Sequence, residues 1–202
     1  MVSDKPDTVS QLRRLALATM AERGIDGMTV QQIADEAGCA KSNVLYHFGS
    51  KQGLVEAALA PSVAALGELV GYLEGVVADG GSIADPEPAA RFVDTLVEHR
   101  HAANLVLNRM GELPEGELLD RLCEGIQRLT GLVADRTSSL EDGLRIAIVL
   151  GGVAFALAGP MCAPADAPYE ELRPALIKVA QELLEPSRGA APALADAAAP
   201  AA

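Results

Sequence analysis

The sequence predicts an all-α protein, and three observations carry that expectation. Apolar residues recur at helical spacing along nearly the whole chain. No run alternates apolar and polar residues for long enough to make a convincing strand. Helix-start signals recur, with Thr29 before Gln32 and Ser138 before Glu141 each spaced as a capping box. The chain has 202 residues, of which 50% are hydrophobic and 22% charged. A real core can be buried, and wholesale disorder is excluded.

The elements follow in order. Leu12, Leu15, Ala16, Thr19 and Met20 share one face of a first helix that Gly24 can end. The Thr29–Gln32 box opens a short second helix with Val30, Ile33, Ala34 and Ala37 as its apolar positions, and Gly38 closes it. A third short segment runs from Ala40 to His47, and Ser50 is positioned to cap a longer helix beginning at Lys51. Pro61 removes a backbone donor and is expected to kink or split that helix. Residues 75–88 read as a loop, with Asp85 as N-cap and Pro86 at the first helical position. Further helices are expected over 86–99, 101–111, 115–136, 139–159 and 168–185. Residues 188–202 are dominated by Ala with two Pro and read as a disordered tail.

Between Arg145 and Asp166 the chain carries no charge. Gly159-Pro160 stops a helix there, leaving about 14 uncharged helical residues, roughly 21 Å against a hydrocarbon core of ~30 Å. That is too short to span, so no membrane partner is expected. The N-terminus lacks the apolar stretch of a signal peptide. Cys39, Cys123 and Cys162 are widely spaced with no CxxC pair, which argues against a disulfide scaffold or a cysteine zinc site and fits a reducing cytoplasm.

The formal net charge is −12. A chain-wide polycation is excluded, but a local basic face is not. Through Gly53 there are 6 basic and 6 acidic residues, leaving 10 basic and 22 acidic for the remainder. A neutral head on an acidic body suggests two functional parts. The domains expected are residues 1–50, with a helix-turn-helix over about 29–48, then 51–187, then the tail.

The informative segment is residues 29–54. Ala34, Gly38 and Val44 have the spacing of a helix-turn-helix: a small residue for close approach, a glycine for the turn, and an apolar residue that packs back. Between them Lys41, Ser42 and Asn43, with Tyr46 and His47 a turn later, can reach base edges or phosphates. Lys51 sits at a helix start, where a phosphate can meet both its ammonium and free N–H groups. With no Trp, three Tyr and three Phe, stacking platforms for single-stranded bases are few.

The run Thr29, Ile33-Ala34, Ala37-Gly38, Lys41, Leu45-Tyr46-His47-Phe48, Ser50-Lys51 and Leu54 resembles the signature of the TetR family of transcriptional regulators. The resemblance covers about the first 55 residues, and many positions match at fixed spacing without a gap. It implies a homodimer, a pseudo-palindromic duplex DNA operator and a small-molecule effector that releases it. The DNA-contacting set expected on this basis is Thr29, Lys41, Ser42, Asn43, Tyr46, His47 and Lys51. Ala40 stands where the family often has a capping Ser, and Leu45 where a Tyr is common.

For the body, an apolar cavity is expected between residues 62–78, 92–110 and 140–159, with Tyr72, His101, Asn104 and Arg109 as polar anchors. Arg109 would favour an acidic or carbonyl-bearing ligand. His99 and His101 are two apart, on different helix faces, so no metal site is expected. No GxGxxG, P-loop, GxSxG or HExxH is present, so neither a cofactor nor catalysis is expected. The alternatives are an activator, an effector-independent DNA-binding protein or, from another class, a helical enzyme.

Overall fold

A computed structural model describes residues 8–83, 85–134, 140–158 and 169–184. The expected tail over 188–202, the cap at Ser138 and the stop at Gly159-Pro160 lie outside the described residues. The chain forms α1 (Thr8–Gly27), α2 (Val30–Ala37), α3 (Lys41–Phe48), α4 (Lys51–Ala78), α5 (Pro86–Glu98) and α6 (Arg100–Arg109). A 3₁₀ turn (Met110–Glu112) follows, then α7 (Glu117–Ala134), α8 (Leu140–Ala158) and α9 (Tyr169–Leu184). No strand occurs among the described residues, so the all-α expectation holds.

Helix α1 buries Leu12, Ala16, Thr19 and Met20, the predicted face. Thr19 is tolerated there because its hydroxyl donates to the Leu15 carbonyl at 2.9 Å. At Gly24 the backbone leaves the helical region (φ 80°, ψ 167°), and one further turn follows before α2.

Helix α4 corrects one expectation. It runs unbroken through Pro61 for 28 residues. Leu54, Val55, Ala58 and Leu59 are buried before the proline, and Val63, Leu69, Val70 and Leu73 after it. That continuous apolar face, packed on α1 and α7, outweighs a penalty of about 3 kcal/mol for an interior proline. Pro61 itself faces outward. Among the described residues α4 alone is long and apolar enough to cross a membrane, a property shared by the central helix of a bundle.

Two apolar cores are present. The first joins Leu12, Met20, Ile33, Val44, Leu54, Leu59, Leu105 and Leu122, and so spans α1 through α4 together with α6 and α7. The second holds Leu69, Leu73, Phe92, Val93, Val149, Val153 and Ala180. Helices α2 and α3 thus share a core with the body and are not a separate packing unit. Bidentate ion pairs brace the outside: Arg128 with Glu74 joins α7 to α4 (2.6 and 2.9 Å), and Arg173 with Asp94 joins α9 to α5.

The apolar residues of α9 divide between inside and outside. Leu176 and Ala180 pack into the second core, while Val179 and Leu183 remain exposed. Helix α8 likewise turns Ala154 inward and leaves Leu144, Ile148 and Phe155 about half exposed or more.

Candidate nucleic-acid interface and ligand cavity

The geometry of α2 and α3 is set by local devices. Thr29 Oγ1 accepts from the Gln32 N–H at 3.2 Å, and the Gln32 side chain accepts from the Thr29 N–H at 2.9 Å. The predicted capping box is therefore formed. Gly38 ends α2 at φ 69°, a left-handed conformation that glycine adopts without penalty. From there Val44 turns inward, 1% exposed, against Ile33 and Ala34. Thr29 is exposed but committed to its cap.

With Val44 buried, the opposite side of α3 faces solvent. Lys41, Ser42, Tyr46 and His47 are exposed, and Asn43 is half-buried. Tyr46 is 84% exposed and meets the His47 ring edge-on at a 5.3 Å centroid separation. Phe48 packs against the first core and Leu54 is fully buried. Ala40 offers no side-chain cap to α3. At the start of α4, Ser50 Oγ accepts from the Gly53 N–H at 3.0 Å, and Lys51 Nζ donates to the Asp26 carbonyl at 3.4 Å. Gly53 was not among the predicted residues, yet a methyl group there would overlap the Phe48 carbonyl oxygen. Its hydrogen side chain is what lets α4 start against the end of α3.

A cavity of about 420 Å³ lies between the two cores. Its walls come from α4, α5, α6 and α8 as expected, and also from α7 through Leu122, Ile126, Leu129 and Thr130. None of the four expected anchors lines it. Tyr72 lies under the Arg91 guanidinium, 4.2 Å from its ring centroid. Asn104 is half-buried, and its carbonyl accepts from Asn108 Nδ2 at 3.0 Å. His101 is half-buried. Burial and the adjacent Arg100 hold it below the usual histidine range, with Glu22 of α1 opposing.

Arg109 belongs to a different structure. Its Nη1 donates to Glu112 Oε1 at 2.8 Å, while Glu112 Oε2 accepts from the Ile25 N–H at 2.9 Å. Glu112 is held below the usual carboxylate range, first by Arg109 and then by the Ile25 N–H. This latch ties the end of α6 to the turn beyond Gly24, next to the Asp26 carbonyl that Lys51 reaches. The polar side chains lining the cavity are instead Ser62, Thr95, His99 and Thr130. Ser62 and His99 share a hydrogen bond of 3.0 Å. His99 was visible in the His-Arg-His run, but nothing local distinguished it from a surface residue.

A solvent-facing helix-turn-helix carried on the end of a long helix, with a helical body behind it, defines the architecture of a DNA-binding regulator. Residues 12–58 match the family model described as "Bacterial regulatory proteins, tetR family". The chain is 30% identical to the HTH-type transcriptional repressor KstR2 of Mycolicibacterium smegmatis over 128 residues, 57% of this chain and 60% of that one. It is 28% identical to the HTH-type transcriptional regulator BetI of Serratia proteamaculans over 175 residues, 76% of this chain and 87% of that one. The alignment with KstR2 thus spans under two thirds of that relative's length. The fold is similar to that of the ketosteroid transcriptional regulator KstR2 of Mycobacterium tuberculosis (TM-score 0.69, 15% identity, 88% of this chain and 94% of that one). It is also similar to a TetR-family regulator from Bordetella parapertussis (TM-score 0.65, 16% identity, 89% and 95%). Residues 12–58 are thus similar to the N-terminal region of TetR-family regulators, and the chain as a whole shares the fold of KstR2.

Proposed function

We propose that the protein is a cytoplasmic, homodimeric repressor that binds a pseudo-palindromic operator and leaves it when a small molecule fills the cavity. The observation that carries the DNA-binding half is the polar outer face of α3, held by a buried Val44 and a capped α2. With twelve excess negative charges on the chain, affinity must come from this face, doubled by symmetry. Lys41 and Lys51 serve phosphates; Ser42, Asn43, Tyr46 and His47 serve base edges; Thr29 sets the angle of entry. Leu144, Ile148 and Phe155 of α8 with Val179 and Leu183 of α9 supply the apolar patch that a two-fold partner would cover. Covering such patches, together with α4 as a bundle core, makes a membrane role unnecessary.

The test is selection of bound duplexes from random sequence, followed by titrations at several salt concentrations. Binding should weaken linearly in log K against log salt. Lys51→Ala should weaken all sequences alike, whereas Asn43→Ala should relax preference at particular positions. Wild-type affinity in a Lys41, Tyr46 and Lys51 triple alanine variant would overturn the DNA assignment. A stable, well-folded monomer at micromolar concentration in sedimentation would overturn the dimer.

A further inference from the structure

We propose that the cavity takes an uncharged, mainly apolar molecule bearing one carbonyl or hydroxyl group, and that the Ser62–His99 pair anchors that group. The proposal deepens the effector reading above and rests on it for the consequence on DNA, not for binding itself. The volume of about 420 Å³ lies in the range of small-molecule sites. Most of the wall is apolar, including Leu66, Leu69, Phe92, Leu96, Val106 and Ile126. None of the described lining residues carries a carboxylate, an ammonium or a guanidinium. An ionised ligand buried there would lose its hydration with no counter-charge to replace it. Of the acidic or carbonyl-bearing ligand expected from Arg109, this drops the acidic alternative and keeps the carbonyl. That guanidinium is spent on Glu112 instead.

The polar lining then singles out one pair. Thr95 Oγ1 donates to the Arg91 carbonyl at 2.9 Å, and Thr130 Oγ1 lies 3.0 and 2.9 Å from the Ile126 and Gln127 carbonyls. Both threonine protons are committed to their own helices. Ser62 and His99 bond only across the gap between α4 and the α5–α6 junction. If Ser62 donates to Nδ1, its lone pairs can accept from a ligand hydroxyl. If it accepts from Nδ1–H, its own proton can be donated to a ligand carbonyl. Either tautomer leaves capacity for one neutral polar group. A group inserted there acts on a bond that joins α4, the helix carrying Lys51, to the rest of the wall.

The test uses the full-length protein with 2-decanone, 1-decanol and decanoate in isothermal titration calorimetry at pH 7.5. The ketone and the alcohol should bind at least about tenfold more tightly than the carboxylate. Ser62→Ala and His99→Phe should each weaken alcohol binding by about three- to tenfold, the size of one net hydrogen bond. Thr95→Val and Thr130→Val should leave it unchanged. Decanoate binding as tightly as decanol, no binding by any of the three, or unchanged affinity in both anchor variants would overturn the assignment. Anchor-dependent binding that leaves affinity for a selected operator duplex unchanged would overturn the effector reading and leave this assignment standing.

Discussion

The helix-turn-helix head and the helical body behind it hold their helices by different means. In the head, α2 and α3 have only eight residues each, and specific local devices fix them: the Thr29–Gln32 box, the left-handed Gly38 and the bare Cα of Gly53. Isolated helices of that length are unstable, so each device counts. In the body, longer helices rest on broad apolar faces, and their packing leaves a cavity inside and apolar side chains outside. The difference suits the function proposed above: a surface that matches a duplex needs fixed geometry, whereas a site that admits and releases a ligand needs spare volume. The two requirements meet in α4, which starts against α3 and ends in the second core.

The largest expected contrast lies in core truncation. Leu12 is fully buried where the head meets the body, and Leu12→Ala should destabilise by about 3–5 kcal/mol. Leu66 is half-buried beside the existing cavity, and Leu66→Ala should cost only about 1–2 kcal/mol. Urea titrations followed by circular dichroism would measure both; equal losses would mean that the cavity wall is as tightly packed as the head.

Two glycines of the same helix sharpen the comparison. Gly53→Ala should cost about 2–3 kcal/mol by overpacking against the Phe48 carbonyl and should weaken operator binding further by displacing α3. Gly71, further along α4, is exposed with open space around its Cα, and Gly71→Ala should stabilise by up to about 1 kcal/mol. A neutral Gly53→Ala in both assays would show that α3 docks without this close contact.

Within the head, two caps should act in opposite directions. Thr29→Ala removes both the hydroxyl acceptor and its box, costing about 1 kcal/mol, while Ala40→Ser supplies a missing cap and should recover about 0.5–1 kcal/mol. Thermal midpoints of the two single variants and their combination would test this.

The smallest effects are pH-dependent and belong to the junction. His101 titrates below its ordinary value of 6.5 in the folded protein, so its contribution is complete above that pH and is lost as pH falls below it. Glu112 titrates below 4.5 when folded, so its contribution is complete above that pH and is lost as pH falls towards the folded value. Both make acid destabilising, in separate windows. His101→Gln should flatten the upper window and Glu112→Gln the lower one in urea midpoints measured against pH. An unchanged profile in Glu112→Gln would mean that the latch between Ile25, Arg109 and Glu112 does not form in solution.

What the sequence determined by itself was the head. Its caps, its left-handed glycine and the inward turn of Val44 each depend on residues within a few positions of one another, and each appeared where it was expected. The outward placement of Lys41, Ser42, Tyr46 and His47 follows from the same short-range periodicity. Tertiary structure decided the rest. Pro61 fails to break α4 because α1 and α7 cover its flanks, which no local preference encodes. Arg109 is drawn from the cavity to Glu112, whose second oxygen meets an amide 87 residues away. Ser62 and His99, 37 residues apart, become one polar pair only when α5 folds back along α4. Helix and cap formation are short-range and can be read from spacing, whereas which polar groups face a cavity depends on how finished helices pack, and the long-range apolar faces set that packing.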